Sequence, residues 1–193
     1  MEAANYLSSW GIAAVIVATF SHILYIKAIV VRQTKPSRVT WSIWSVLGII
    51  IAVSYYLSGA TATLWVPVGE AVWYIIIALL SIKYGQGGWT PVDRLALIGA
   101  MTCGLFWYFT GSVVIALTAA IGVDFMAAIP TIHKSYKDSG SENRRAWVFT
   151  CISSTFNLIA INRFSFSIMI YPIYMFFMNI IITSFLFRKK IDQ

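Results

Sequence analysis

Charge is what this 193-residue sequence has least of: 14 basic and 7 acidic residues amount to 11% of the chain, against about a quarter in a soluble domain. With 59% hydrophobic residues and a mean hydropathy of +0.78, the composition excludes a soluble globule of this size. Cysteine is nearly absent as well. Cys103 and Cys151 lie in apolar runs without CxxC spacing, which excludes a disulfide framework or a cysteine metal site. No HExxH, GxSxG or glycine-rich phosphate loop occurs, so neither an enzyme nor a cofactor signature is present. The stretch from Phe164 to Phe187 has no lysine, which excludes a retinal Schiff base in the last apolar run. A net charge of +7 would point to nucleic acid in a soluble protein. Here the basic residues cluster in short connections between apolar runs, so they read as topology signals and no nucleic-acid partner is expected.

What the sequence has in quantity is apolar length. A hydrocarbon core about 30 Å thick needs roughly 20 apolar residues per helix. Seven such runs are present, near Tyr6 to Val31, Val39 to Leu57, Leu64 to Tyr84, Arg94 to Phe109, Val113 to His133, Ala146 to Ile161 and Phe164 to Phe187. The tightest breaks are Thr110-Gly111-Ser112 and Asn162-Arg163. Taken by alternate connections, Lys27, Arg32, Lys35 and Arg38, then Lys83 and Arg94, then Lys134, Lys137, Arg144 and Arg145, then Arg188, Lys189 and Lys190 fall on one side, and Arg163 alone on the other. The positive-inside rule then predicts an N-terminus outside and a C-terminus in the cytoplasm, in a bacterial-type inner or plasma membrane. The first run is too long, and its start too free of basic residues, for a cleaved signal peptide. Trp10 and Trp65 fall near the outer boundary and Trp41, Trp89 and Trp147 near the inner one, as interfacial anchors do. Ser139-Gly140-Ser141-Glu142 reads as the cap of the sixth helix.

The runs also repeat. Arg38-Val39-Thr40-Trp41 and Arg144-Arg145-Ala146-Trp147 stand about 105 residues apart. Each leads into an apolar helix and then a second apolar stretch holding a lone proline, Pro67 or Pro172. Residues 1–84 are accordingly read as a first three-helix repeat, 85–111 as a linker transmembrane helix and 112–193 as a second repeat. With one span between two odd-numbered triples, both enter the membrane in the same direction. The expected fold is an all-α integral membrane protein of seven transmembrane helices in a 3+1+3 parallel repeat of three-helix bundles. Pro67 and Pro172 are its expected hinges.

Three ionisable residues fall well inside predicted spans: His22, Glu70 and Asp124. A charge at mid-bilayer costs about 2.5 to 3.5 kcal/mol, so such groups face a cavity or one another, and these three form the expected proton-coupling set. His22 and Asp124 belong to equivalent helices and are expected to meet across the repeat axis; permanently neutralised interhelical glue is the plain alternative. Trp73, near Glu70, suits stacking on a flat or cationic ligand. Asn157 and Asn179 are deep enough for either ligand contact or interhelical hydrogen bonds.

This pattern resembles the sugar-transporting SWEET proteins, the PQ-loop transporters and the bacterial nicotinamide riboside carriers, the MtN3 superfamily. The nearest local match is Ile129-Pro130-Thr131-Ile132-His133-Lys134-Ser135-Tyr136-Lys137, which looks like a PQ-loop with Thr131 in place of the glutamine. The resemblance implies transport of a small polar metabolite by alternating access between two three-helix bundles, with a hinge at Pro130. It also implies a cavity-facing asparagine on the seventh helix, Asn179, opposed on the third helix by Tyr74 and Glu70. That departure from a pair of asparagines shifts the expected substrate from a plain sugar toward a cationic or proton-coupled one. The alternative on the same fold is a membrane receptor or regulatory protein that binds its ligand without translocating it. The expected partners are a small-molecule substrate and the lipid bilayer, and oligomeric state is left open.

Overall fold

The computed structural model describes residues 2–87 and 91–188, apart from the side chains of residues 2–5, 92, 93, 96, 100, 103, 104, 107 and 130. Trp89, Lys189 and Lys190 therefore lie outside the described residues, as does the side chain of Pro130. Seven α-helices occur among the described residues: α1 (Glu2–Val30), α2 (Arg38–Leu57), α3 (Trp65–Tyr84), α4 (Pro91–Thr110), α5 (Val113–Lys137), α6 (Arg144–Ile159) and α7 (Phe166–Leu186). A single 3-10 turn, Ala62–Leu64, precedes α3, and no strand is formed among the described residues.

Among the described residues, five stretches are long and apolar enough to cross a membrane: Tyr6–Val30, Arg38–Leu57, Ala62–Tyr84, Val113–Lys137 and Phe166–Leu186. Helices α4 and α6 are not among them. At 16 residues, α6 rises about 24 Å, short of a hydrocarbon core. The bundle is apolar outside and polar within: Ile16 is 62%, Leu79 63% and Ile82 68% exposed, whereas His22 is 6%, Glu70 3% and Asp124 8% exposed. In water such an exterior would be an aggregation surface; it has the composition a bilayer wets.

Neighbour relations follow a regular scheme. Helix α3 touches both α1 and α2, and α7 touches both α5 and α6. Between these triples α1 lies on α6 and α2 on α5, while α4 packs on α5 and α2. The α1–α6 seam joins small residues and hydroxyls with two aromatic pairs: Ser21 Oγ donates to the Ala146 carbonyl at 2.7 Å and Ser153 Oγ to that of Ala14 at 2.8 Å, while Trp10 meets Phe156 and Phe20 meets Phe149 edge-on. Small side chains let helix backbones approach closely where no hydrophobic effect drives them together. At Gly11 a Cβ would stand 1.9 Å from the Ala62 carbonyl oxygen, so only glycine lets α1 pass the turn before α3.

The two basic tetrapeptides fold alike. Ser37 caps α2, accepting from the Thr40 amide, and Asn143 caps α6, accepting from the Ala146 amide. The α6 cap is thus Asn143, and Glu142 turns inward, 7% exposed, instead of serving the helix end. The connections gather at two ends. The Gln86 amide donates to the Pro36 carbonyl and Arg188 Nη2 to the Tyr136 carbonyl at the basic end, while Arg163 Nη1 donates to the Gly59 carbonyl at the other.

The prolines are not equivalent. Pro67 sits in the first turn of α3, where an amide has no intrahelical acceptor to lose, so it leaves that helix unbroken. Pro172 lies inside α7 and frees the carbonyl of Ile168, four residues earlier. Tyr55 of α2 donates its phenol to that carbonyl at 2.6 Å, closing the gap with a group from the other triple.

Candidate functional site

The buried polar residues Ser21, His22, Glu70, Asp124 and Asn179 border one cavity within the bundle, with room of about 50 Å³ for the centres of water-sized molecules. His22 comes from α1, Glu70 and Tyr74 from α3, Asp124 from α5, and Met175 and Asn179 from α7. Helices α2 and α6 add Trp41, Trp44 and Trp147.

His22 is held from both sides. Its Nδ1 lies 2.7 Å from the Ala18 carbonyl, an oxygen that can only accept, so Nδ1 carries a hydrogen. Its Nε2 lies 3.1 Å from Glu70 Oε2. The Nε2–Oε2 line is off hydrogen-bond alignment, so Glu70 Oε2 keeps acceptor capacity. Trp73 stacks on the imidazole with ring centres 5.9 Å apart and planes at 6°, and its indole donates to Thr19 at 3.1 Å. It stands behind His22 and off the cavity wall, where it orients the imidazole.

Asp124 has a different partner. Tyr174 of α7 donates its phenol to Asp124 Oδ2, and no lysine or arginine lines the cavity among the described residues. The expected meeting of His22 with Asp124 does not occur: His22 pairs within its own triple, with Glu70, and Asp124 within the other, with Tyr174. His22, Glu70 and Asp124 nevertheless border the same space, with Tyr174 off its wall.

Of the remaining expected site residues, Tyr74 and Asn179 are on the wall, and the Asn179 amide nitrogen has no hydrogen-bond partner. Asn157 is 1% exposed but lies off the cavity. Trp41 and Trp147, expected as interfacial anchors, instead point inward: Trp41 is buried against Tyr25, Trp44 and Tyr74, with ring centres 5.0 to 5.6 Å apart. Their recurrence at matching places in the two basic tetrapeptides was the available signal. Tyr174 and Glu142 carried no such mark. Indole nitrogens of Trp44 and Trp147, with the Asn179 amide, leave three donors unmatched on a wall that offers two carboxylates.

No family model, curated protein or solved structure matches the chain, so the reading of its function rests on these residues and on the helix arrangement.

Proposed function

We propose that the protein is a small membrane transporter, SWEET-like or PQ-loop-like in plan, that moves a small polar metabolite by alternating access between two three-helix bundles. The observation that carries this reading is the cavity: a space inside an apolar exterior that is bordered by His22, Glu70, Asp124 and Asn179, with walls supplied by both triples. The neighbour scheme supports a 3+1+3 parallel repeat. Exchanging α1, α2 and α3 for α5, α6 and α7 turns the α1–α6 contact into α5–α2 and keeps the third helix of each triple between the other two. In this reading α4 and α6 also cross the membrane. The shortness of α6 is offset by local bilayer thinning and by Arg144 and Arg145 reaching toward the headgroups.

The charge of the wall favours a cationic substrate. His22 balances one carboxylate, Asp124 has only a phenol, and the surrounding indoles suit a positive centre. In the unloaded state a proton on Asp124 removes the uncompensated charge, so binding of a cation and of a proton at this carboxylate exclude one another.

Uptake into proteoliposomes under an imposed pH gradient tests the reading. A pH-dependent flux that Asp124→Asn flattens, and that Cys151→Ala leaves alone, supports proton coupling. An unchanged rate and pH profile in Asp124→Asn makes the carrier a uniporter. A protein that binds a ligand but moves none across the membrane is a receptor.

A further inference from the structure

At the basic end of the bundle Glu142 stands between two spaces. On its inner side are Tyr25 and Trp147, both on the cavity wall and both close to its carboxylate. On its outer side is an open recess of about 500 Å³, bounded by Gln33 and Thr34 of the α1–α2 connection and by the start of α6. Residues 143–145 border the recess, while residues 146 and 147 border the cavity. Consecutive residues at the start of α6 thus face the two spaces.

Its lock is ionic. Lys134, in the last turn of α5, places Nζ 3.1 Å from Glu142 Oε1. The carboxylate side is 4% exposed and the lysine 29%, so the acid is buried while the base reaches water. Glu142 Oε2 has no hydrogen-bond partner. A half-satisfied buried carboxylate is costly, and a helix cap does not explain it, since Asn143 performs that task.

We propose that Glu142 and Lys134 form the door through which the cavity opens to the basic end, with the recess of Gln33, Thr34 and the α6 start as its entrance. This rests on the transport reading for its purpose, though not for its geometry. Swinging Lys134 outward removes the cation that holds Glu142 inward, and the carboxylate then follows it into the recess, freeing Tyr25 and Trp147. The charged and titratable groups around Glu142 are Lys134 from α5 and Tyr25 from α1, with Arg144 and Arg145 at the recess. Burial raises the Glu142 carboxyl above the usual range, and Lys134 opposes that rise. Protonation cancels the charge that retains Lys134, so acid loosens the door.

The test reads accessibility and needs no substrate. In full-length protein carrying Cys103→Ala and Cys151→Ala and held in lipid nanodiscs, Ala128→Cys reports on the cavity wall and Gln33→Cys on the recess. A bulky charged thiol reagent should label Gln33→Cys quickly and Ala128→Cys slowly. Glu142→Gln or Lys134→Met should speed Ala128→Cys labelling about tenfold, and the exchange Glu142→Lys with Lys134→Glu should slow it again. Acid buffer should speed it relative to the Gln33→Cys control. Labelling that is indifferent to both single variants and to acid overturns the door; so does a swapped pair that stays as open as the single variants. Should either single variant fail to fold, the acid arm in the parent protein decides. An opening door in a protein that moves no solute sinks the transport reading alone, while transport with indifferent labelling sinks the door alone.

Discussion

The two triples make the same kind of clasp with different chemistry. In the first, His22 of α1 faces Glu70 of α3 at 3.1 Å; in the second, Asp124 of α5 accepts from Tyr174 of α7. Each ties the first helix of its triple to the third, and His22, Glu70 and Asp124 border one cavity. The first clasp contains its own basic group. The second contains none. A phenol solvates a carboxylate but does not neutralise it, so the second half is where added positive charge, proton or ligand, gains most. A scaffold read as duplicated can therefore keep one half for structure and leave the other for exchange.

Removing one partner from the self-contained clasp should have the largest effect. His22→Ala leaves Glu70 buried and unpaired and is expected to destabilise the protein by about 3 to 5 kcal/mol. Adding Glu70→Ala to it should recover most of that loss, as read from thermal unfolding in detergent. A parent-like midpoint for His22→Ala would mean that Glu70 needs no counter-ion, and the contrast between the halves would collapse.

Tyr174→Phe should cost less, about 1.5 to 3 kcal/mol for a hydrogen bond to a charged acceptor. It sharpens the comparison because it spares His22 and Glu70. It should also shift the pH profile of uptake, since Asp124 loses the donor that stabilises its charged form. An unshifted profile would move proton coupling to the first clasp.

The smallest effect concerns the bond between the triples. Tyr55→Phe leaves the Ile168 carbonyl unpaired and should cost about 1 kcal/mol. In a Pro172→Ala background an amide returns to take that carbonyl, and the cost of Tyr55→Phe should fall to near zero. Equal costs in both backgrounds would show that Tyr55 does not repair the proline gap.

Helix number and position were legible in the sequence because apolar length is a one-dimensional property. The run read as Val39 to Leu57 folds as Arg38–Leu57, and that read as Leu64 to Tyr84 folds as Trp65–Tyr84. The repeated tryptophans were legible as local spacing; the cap of α6 was not, since Ser139 to Glu142 read as the cap and Asn143 makes it. Pro67 and Pro172 looked alike because a sequence shows each proline inside an apolar stretch; only the helix start at Trp65 puts Pro67 where its missing amide costs nothing. Likewise His22, Glu70 and Asp124 stood out by their charge, but not their pairing.

By itself the sequence determined that this chain forms apolar helices, that its few buried ionisable groups must be accommodated among them, and that basic residues collect in alternate connections. Those properties follow from composition and from rise per residue. Tertiary structure alone decided that His22 meets Glu70, that Trp41 and Trp147 face the cavity, and that Glu142 turns inward to Lys134. Each depends on how a helix is rotated and which neighbour it meets, and rotation in a bundle is set by contacts between residues far apart in the chain, such as Ser21 with Ala146 and Tyr55 with Ile168.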